Sequence, residues 1–171
     1  PPVDFLFVWD NSSSQVFSTP DTKAALNNVI SSISDRFDYH IMLAPLLPKF
    51  SAGRPVQYVV ASNDASLNLP ASQSYMKIPY TEAPQKLDEF TLVGGTVENG
   101  YDRVIDLLNL NRSNNIFRQN AYTIVVIMSN EDETSDIPPG GVRTNRDLQN
   151  TINTKFTQLK QIRDNLNSIQ F

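Results

Sequence analysis

An acid and a run of hydroxyls follow directly after the most apolar stretch of the chain. Residues Phe5–Trp9 are all apolar, and the stretch ends at Asp10, which is followed by Ser12–Ser14. An apolar run without polar alternation is typical of a strand covered on both faces, as in parallel sheets. Ligands of such sheets bind outside the carboxyl ends of the strands. Because carboxylate and hydroxyl oxygens suit Mg²⁺, Mn²⁺ and Ca²⁺, Asp10, Ser12 and Ser14 are candidate metal ligands.

Predicted strands and helices alternate along the chain, and these elements must position the candidate ligands. Apolar periodicity predicts helices over about 20–36, 97–110 and 145–166. Apolar runs predict strands over about 39–47, 56–62 and 121–129, with shorter candidates at 75–78 and 168–171. The short polar connection before residue 56 allows an antiparallel hairpin with the strand at 39–47. The pattern predicts one domain over 1–171, a three-layer α/β/α sandwich with an irregular loop or insertion at about 63–90.

Two helices carry apolar stripes that are expected to face the sheet. The stripe of the first helix consists of Leu26, Val29, Ile30, Ile33 and Phe37. The stripe of the last helix consists of Leu148, Ile152, Phe156, Leu159, Ile162 and Leu166. His40, the only histidine, is expected to be solvated or to lie at the edge of the core. A single histidine and the absence of cysteine exclude His-rich and thiolate zinc sites.

Three loops are predicted to meet at one edge of the sheet. Right-handed crossovers would bring Asp10, Thr96 and the loop 130–132 together there. By themselves, the residues Gly94-Gly95-Thr96 fit a simple turn and helix N-cap.

Asp10, Ser12 and Ser14 form a D-x-S-x-S pattern that resembles the metal-ion-dependent adhesion site of von Willebrand factor A (VWA) domains, also called integrin I-like domains. The resemblance extends over nearly the whole chain, through VGGTVENGYDRVIDLL and VVIMSNEDE, and is nearest to exported bacterial members. It implies a Rossmann-like, mainly parallel sheet with one antiparallel edge strand. Since VWA sheets normally continue after the last helix found here, it also implies a domain that is truncated at Phe171 or completed by another segment.

The same resemblance implies the ligand set. A second loop of VWA domains contributes a Thr, which corresponds to Thr96, and Gly94-Gly95 would then allow the backbone to approach the ion closely. This role and that of a turn and N-cap can hold together. A third loop contributes an Asp. Asn130 stands where that Asp belongs, and Asp132 or Glu131 could substitute for it if the loop bends. The residues expected to add hydrogen bonds around the ligands, or to form the rim of the site, are Ser13, Glu98, Asn99 and Glu131.

Composition narrows the classes of function. A net charge of −4 without a basic cluster argues against nucleic-acid binding. No apolar stretch approaches the roughly 20 residues of a membrane span. The chain opens with Pro1-Pro2 and has no signal peptide, so a trimmed or mature form is expected. The resemblance implies an extracellular or cell-envelope location, within a longer chain or assembly.

The residues near Asp10 in the sequence argue against an enzymatic function. Phosphoryl-transfer enzymes of the haloacid-dehalogenase type need a second acid two residues later, where this chain has Ser12. Receiver domains need an acidic pair, and Asp4 alone does not provide one. No phosphate-binding glycine loop is present. Two functions remain: a Mg²⁺-, Mn²⁺- or Ca²⁺-dependent adhesion domain that binds a partner's carboxylate, and a metal-independent scaffold with a degenerate site.

Overall fold

The computed structural model of the chain describes residues 2–11, 19–34, 36–46, 58–62, 75–78, 99–111, 115–130, 144–162 and 169–170. The strands are β1 (Pro2–Trp9), β2 (Asp38–Pro45), β3 (Tyr58–Ser62), β4 (Tyr75–Ile78), β5 (Tyr122–Met128) and β6 (Ile169–Gln170). The helices are α1 (Pro20–Ser34), α2 (Gly100–Leu110) and α3 (Asn145–Ile162). The predicted mixed α/β order is confirmed, including the two short strands. None of the described helices is long and apolar enough to span a membrane.

The strands form a six-stranded sheet in the order β4-β3-β2-β1-β5-β6. At its centre, β1 lies parallel to both β2 and β5, and β6 lies parallel to β5. The predicted hairpin is confirmed, because β3 runs antiparallel to β2. The expected edge position of this strand is wrong, because β4 pairs in parallel with β3 and forms an outer strand.

Central strand β1 is buried on both faces, which explains why its sequence lacks polar alternation. Its odd-numbered side chains, from Val3 to Trp9, share a cluster with Leu26 and Ile30 of α1. Leu6 and Val8 share a second cluster with residues of α2 and α3. Burial of each such large apolar side chain stabilises the fold by about 1.5–3 kcal/mol. The sheet therefore has helices packed against both of its faces.

The stripe predicted for α1 is only partly buried. Thr19 caps the helix, since its Oγ1 accepts a hydrogen bond of 3.2 Å from the backbone N–H of Thr22. Leu26 and Ile30 lie in the core as expected, but Val29 and Phe37 are exposed. The physical reason is helix geometry: two residues four apart face the sheet, while Val29 lies 100° round the helix from Ile30, and Phe37 lies beyond the helix end.

The stripe predicted for α3 is only partly buried. Leu159 is buried and Ile162 packs against the core as expected, but Leu148, Ile152 and Phe156 are exposed, and Leu166 lies outside the described residues. The helix instead buries Thr151 and Lys155 on the line that leads to Leu159, and Nζ of Lys155 donates a 2.6 Å hydrogen bond to Oδ1 of Asp102 on α2. Ile152 and Phe156 each lie 100° round the helix from that line, which places them towards solvent.

A buried polar cluster lies at the amino ends of the central strands. Asp4, His40 and Thr123 are in register on neighbouring strands and each is at most 1% exposed. Of the two placements expected for His40, the solvated one is wrong: it is buried near the amino end of β2, and its Nδ1 lies 2.9 Å from the carbonyl oxygen of Ile116. Arg118 closes the cluster from the segment before β5 by contacting Asp4. Sequence reasoning missed this cluster because hydrogen bonds between distant segments, not local polarity, make the burial possible.

Candidate metal centre

Asp10 lies at the carboxyl end of β1, the edge at which ligands of parallel sheets bind. Its side chain is 2% exposed. Its backbone N–H donates a hydrogen bond of 2.9 Å to the carbonyl oxygen of Met128, at the end of β5. On the opposite side, the N–H of Leu46 donates a 2.8 Å hydrogen bond to the carbonyl oxygen of Trp9. The backbone that carries the Asp10 carboxylate is therefore held by both neighbouring strands.

Asn130 lies at the same edge of the sheet. Trp9 of β1 is in register with Met128 of β5, so Asp10 and Ser129 directly follow paired positions. Asn130 comes one residue later and is exposed, whereas Ser129 is half-buried. The predicted convergence of these two loops is confirmed at the level of the sheet edge. The role of Asn130 as a ligand stays a prediction.

Asn99 immediately precedes α2 and is half-buried. Its side chain makes no capping hydrogen bond, although its carbonyl oxygen accepts a 2.9 Å hydrogen bond from the N–H of Arg103. The prediction put Asn99 in the first turn of the helix, but the helix begins one residue later, at Gly100. The side chain of Asn99 therefore does not cap α2.

The other predicted site residues fall outside the described part of the chain. They are Ser12, Ser13, Ser14, Thr96, Glu98, Glu131 and Asp132. Within the described residues there is no group of three or more His, Asp or Glu side chains that could hold a metal ion. Ca²⁺ and Mg²⁺ take six or more oxygen ligands. Since Asp10 and Asn130 supply hard oxygen donors at one edge, their chemistry fits such an ion, with the remaining ligands expected from the serines, Thr96 and Asp132.

Arg103 is a residue at this edge that sequence reasoning missed. It lies in the first turn of α2 and is 8% exposed. Its Nε donates a hydrogen bond of 2.9 Å to the carbonyl oxygen of Pro45, the last residue of β2. Pro45 is in register with Trp9, the residue before Asp10. A pattern of apolar residues cannot reveal such a contact, because it depends on how the helix crosses the sheet.

The buried polar cluster at the amino ends of the strands is separate from this centre. Asp4 precedes Asp10 by six residues along β1, or about 20 Å at the usual rise of a strand. Desolvation by burial raises the pKa of the Asp4 carboxyl, although the hydrogen bonds and charge of Arg118 work to lower it. The pKa of Arg118 is raised despite its own desolvation, because Asp4 and Asp38 accept its hydrogen bonds.

The raised pKa of Asp4 disfavours its charged form, whereas the raised pKa of Arg118 favours its charged form, although the two groups form one ion pair. Their different burial explains the difference. The side chain of Asp4 is 0% exposed, so loss of hydration dominates its ionisation. The side chain of Arg118 is 11% exposed and keeps part of its hydration while it gains two carboxylate partners. A carboxylate with no solvent access and an arginine partner is suited to fixing structure, not to binding an external ligand.

No protein-family model matches the chain, and a search of curated proteins found no significant similarity. The candidate centre is therefore defined by its position and chemistry: a buried aspartate at the carboxyl end of the central strand, with an exposed amide and a buried arginine at the same edge.

Proposed function

We propose that the chain is a divalent-cation-dependent adhesion or protein-binding domain, with the three-layer arrangement of VWA domains. A Mg²⁺, Mn²⁺ or Ca²⁺ ion would be held by Asp10, Ser12, Ser14 and Thr96, with Asn130 or Asp132 from the third loop. The observation that carries the proposal is the placement of Asp10. A buried carboxylate ends the central parallel strand, at the edge where ligands of such sheets bind.

The chemistry of this donor set favours a carboxylate as the partner group. Asp10 is the only carboxylate in the set if Asn130, a neutral amide, fills the position of the third loop. A divalent ion bound by one carboxylate, neutral hydroxyls and an amide keeps a net positive charge, and an open coordination position would then attract an acidic group. The proposed ligand is therefore an acidic residue of a protein or cell-surface partner, bound without catalysis and outside the cell or in the cell envelope.

The direct test is titration of metal-free protein with Mg²⁺, Mn²⁺ and Ca²⁺ by isothermal calorimetry, with thermal unfolding measured in parallel. An ion that binds only the folded state stabilises it by about 2.7 kcal/mol at a hundredfold excess over Kd. We expect saturable binding in the wild type and its loss in Asp10→Asn. Asp106→Asn is the control, because Asp106 is an exposed acid on α2. Equal affinity of wild type and Asp10→Asn would place any bound ion elsewhere.

A second variant tests the role of Asn130. Asn130→Asp adds a carboxylate at an exposed position of the edge, so it should change folding stability little. If residue 130 contributes a ligand, the added charge should tighten Mg²⁺ binding by about tenfold, equivalent to about 1.4 kcal/mol. Unchanged affinity would remove Asn130 from the ligand set and leave Asp132 as the candidate of that loop.

The second candidate function is a metal-independent interaction scaffold. It is favoured by the same Asn130, because an exposed neutral amide at the expected acid position weakens cation binding. The two functions make opposite predictions in the titration. Absence of binding at millimolar Mg²⁺, Mn²⁺ and Ca²⁺, with no rise in melting temperature, would favour the scaffold.

A further inference from the structure

Arg103 joins the first turn of α2 to the carboxyl end of β2. The residue is 8% exposed, and its Nε donates a 2.9 Å hydrogen bond to the carbonyl oxygen of Pro45. Its backbone N–H donates a 2.9 Å hydrogen bond to the carbonyl oxygen of Asn99, which precedes the helix. A buried arginine is uncommon, and burial of its charge costs free energy unless its N–H groups are bonded. The contact therefore fixes where the amino end of α2 lies.

Backbone pairing between β2 and β1 connects Pro45, the partner of Arg103, to Asp10. Pro45 is in register with Trp9, and the N–H of Leu46 donates a 2.8 Å hydrogen bond to the carbonyl oxygen of Trp9. Asp10 is the next residue. The path from α2 to Asp10 thus consists of one side-chain hydrogen bond, one backbone hydrogen bond and adjacent residues of two paired strands.

We propose that Arg103 is a positioning residue of the cation site. It holds the amino end of α2, with Asn99, at a fixed place relative to Asp10. This inference rests on the proposed function, because the site it positions is the proposed one. A bound ion requires its ligands at defined distances, and loss of residues that orient metal ligands typically weakens metal affinity by about 10–100-fold.

The charge of Arg103 has the opposite effect from its hydrogen bond. A guanidinium at this edge repels a divalent cation, so removal of the charge alone would tighten cation binding. Two substitutions show which effect is larger. Arg103→Met keeps a long apolar side chain but removes both the hydrogen bond and the charge, so weaker binding by this variant means that the hydrogen bond matters more. Arg103→Lys keeps the charge and one possible donor to Pro45.

Lys155 of α3 provides a matched control, because it contacts the same helix, α2. It is also 8% exposed, and its Nζ donates a 2.6 Å hydrogen bond to Oδ1 of Asp102, the residue before Arg103. Lys155→Met therefore removes one buried cation that contacts α2, as Arg103→Met does. The difference is that Lys155 connects α2 to α3, whereas Arg103 connects α2 to β2, the strand that pairs with β1 next to Asp10.

The experiment measures Mn²⁺ affinity by calorimetry and, in metal-free protein, hydrogen exchange of the backbone N–H of residue 103 by NMR. That N–H donates to the carbonyl oxygen of Asn99, so its exchange rate reports whether the amino end of α2 is held in place without any bound metal. We expect Arg103→Met to bind Mn²⁺ at least about tenfold more weakly and to exchange this N–H faster than the wild type. Arg103→Lys should recover part of the affinity, and Lys155→Met should bind within about twofold of the wild type.

The outcomes distinguish this inference from the proposed function. If the wild type binds Mn²⁺ and Arg103→Met binds equally or more tightly, the inference is wrong and the proposed function stands. Equal weakening by Arg103→Met and Lys155→Met would also overturn it, because the effect would then be general loss of α2 stability. If the wild type does not bind, both fail. Should Arg103→Met not fold, Arg103→Lys decides: wild-type affinity and wild-type exchange of the residue 103 N–H at reduced stability would contradict the inference.

Discussion

Arg118 and Asp4 are joined by three hydrogen bonds at the amino end of the central strand. Nε and Nη2 of Arg118 donate to Oδ1 of Asp4 over 3.0 and 2.7 Å, and the backbone N–H of Arg118 donates to Oδ2 over 2.6 Å. The Asp4 side chain is fully buried. The segment before β5 is therefore attached to β1 by residues 114 positions apart in the sequence.

Removal of the arginine partner should be strongly destabilising. Arg118→Met leaves the Asp4 carboxylate buried without its counter-charge, which typically costs about 3–5 kcal/mol of folding free energy. Urea unfolding measures this loss. The control is Asp38→Ala, because Asp38 is 66% exposed in its own contact with Arg118 and such pairs contribute about 0–1 kcal/mol. Similar effects of the two variants would contradict the assigned importance of the buried pair.

The pKa of Asp4 predicts how stability varies with pH. Burial raises this pKa above its ordinary value of 3.8. The folded state therefore binds the proton more tightly than the unfolded state, and the resulting stabilisation is fully present below about pH 3.8 and is lost as the pH rises through the folded-state pKa. Asp4→Asn should remove this decline from the curve of unfolding free energy against pH.

Asp4→Asn also changes the contacts of Arg118. An amide at position 4 sets one N–H₂ donor against the donors of Arg118, so overall stability should fall at every pH. The informative quantity is the slope. An unchanged slope in Asp4→Asn would mean that groups other than Asp4 cause the decline of stability with rising pH.

The orientation of α3 can be tested by two substitutions on neighbouring lines of the helix. Leu159 is 1% exposed, so Leu159→Ala should cost about 2–5 kcal/mol through lost burial and a cavity. Ile152 is 38% exposed, so Ile152→Gln should change the unfolding free energy much less, by roughly 0.5 kcal/mol. Denaturant unfolding of both variants measures the difference. Equal losses would mean that Ile152 is buried like Leu159, as the sequence-based stripe predicted.

The start of α3 depends on a reciprocal cap. The N–H of Thr144 donates a 3.0 Å hydrogen bond to Oδ2 of Asp147, and the N–H of Asp147 donates a 3.2 Å hydrogen bond to Oγ1 of Thr144. Thr144→Ala should therefore cost about 1 kcal/mol, measured by thermal unfolding. Thr157→Ala is the matched control, because that exposed hydroxyl contacts only the carbonyl oxygen of Asn153 within the helix. Its replacement should leave stability nearly unchanged.

Local sequence determined the elements of this protein and the place of Asp10 among them. The unbroken apolar run of β1 requires cover on both faces, so a central strand ending in an acid could be predicted without coordinates. The strand at 121–129 had the same property, and it pairs with β1 in the structure. Capping residues and apolar periodicity located the helices to within a few residues because both signals act over one or two turns.

Tertiary structure alone decided which side chains face inward and what lies beside Asp10. Leu148, Ile152 and Phe156 form as good an apolar stripe as any buried one, but α3 packs through the neighbouring line of Thr151, Lys155 and Leu159, where Lys155 contacts Asp102 of α2. Asp4 and His40 are polar in sequence yet buried, because Arg118 and Ile116 reach them from a distant segment. Arg103 adjoins the candidate centre only because α2 crosses the sheet at Pro45. Each of these depends on pairing between segments far apart in the chain, which local periodicity does not encode.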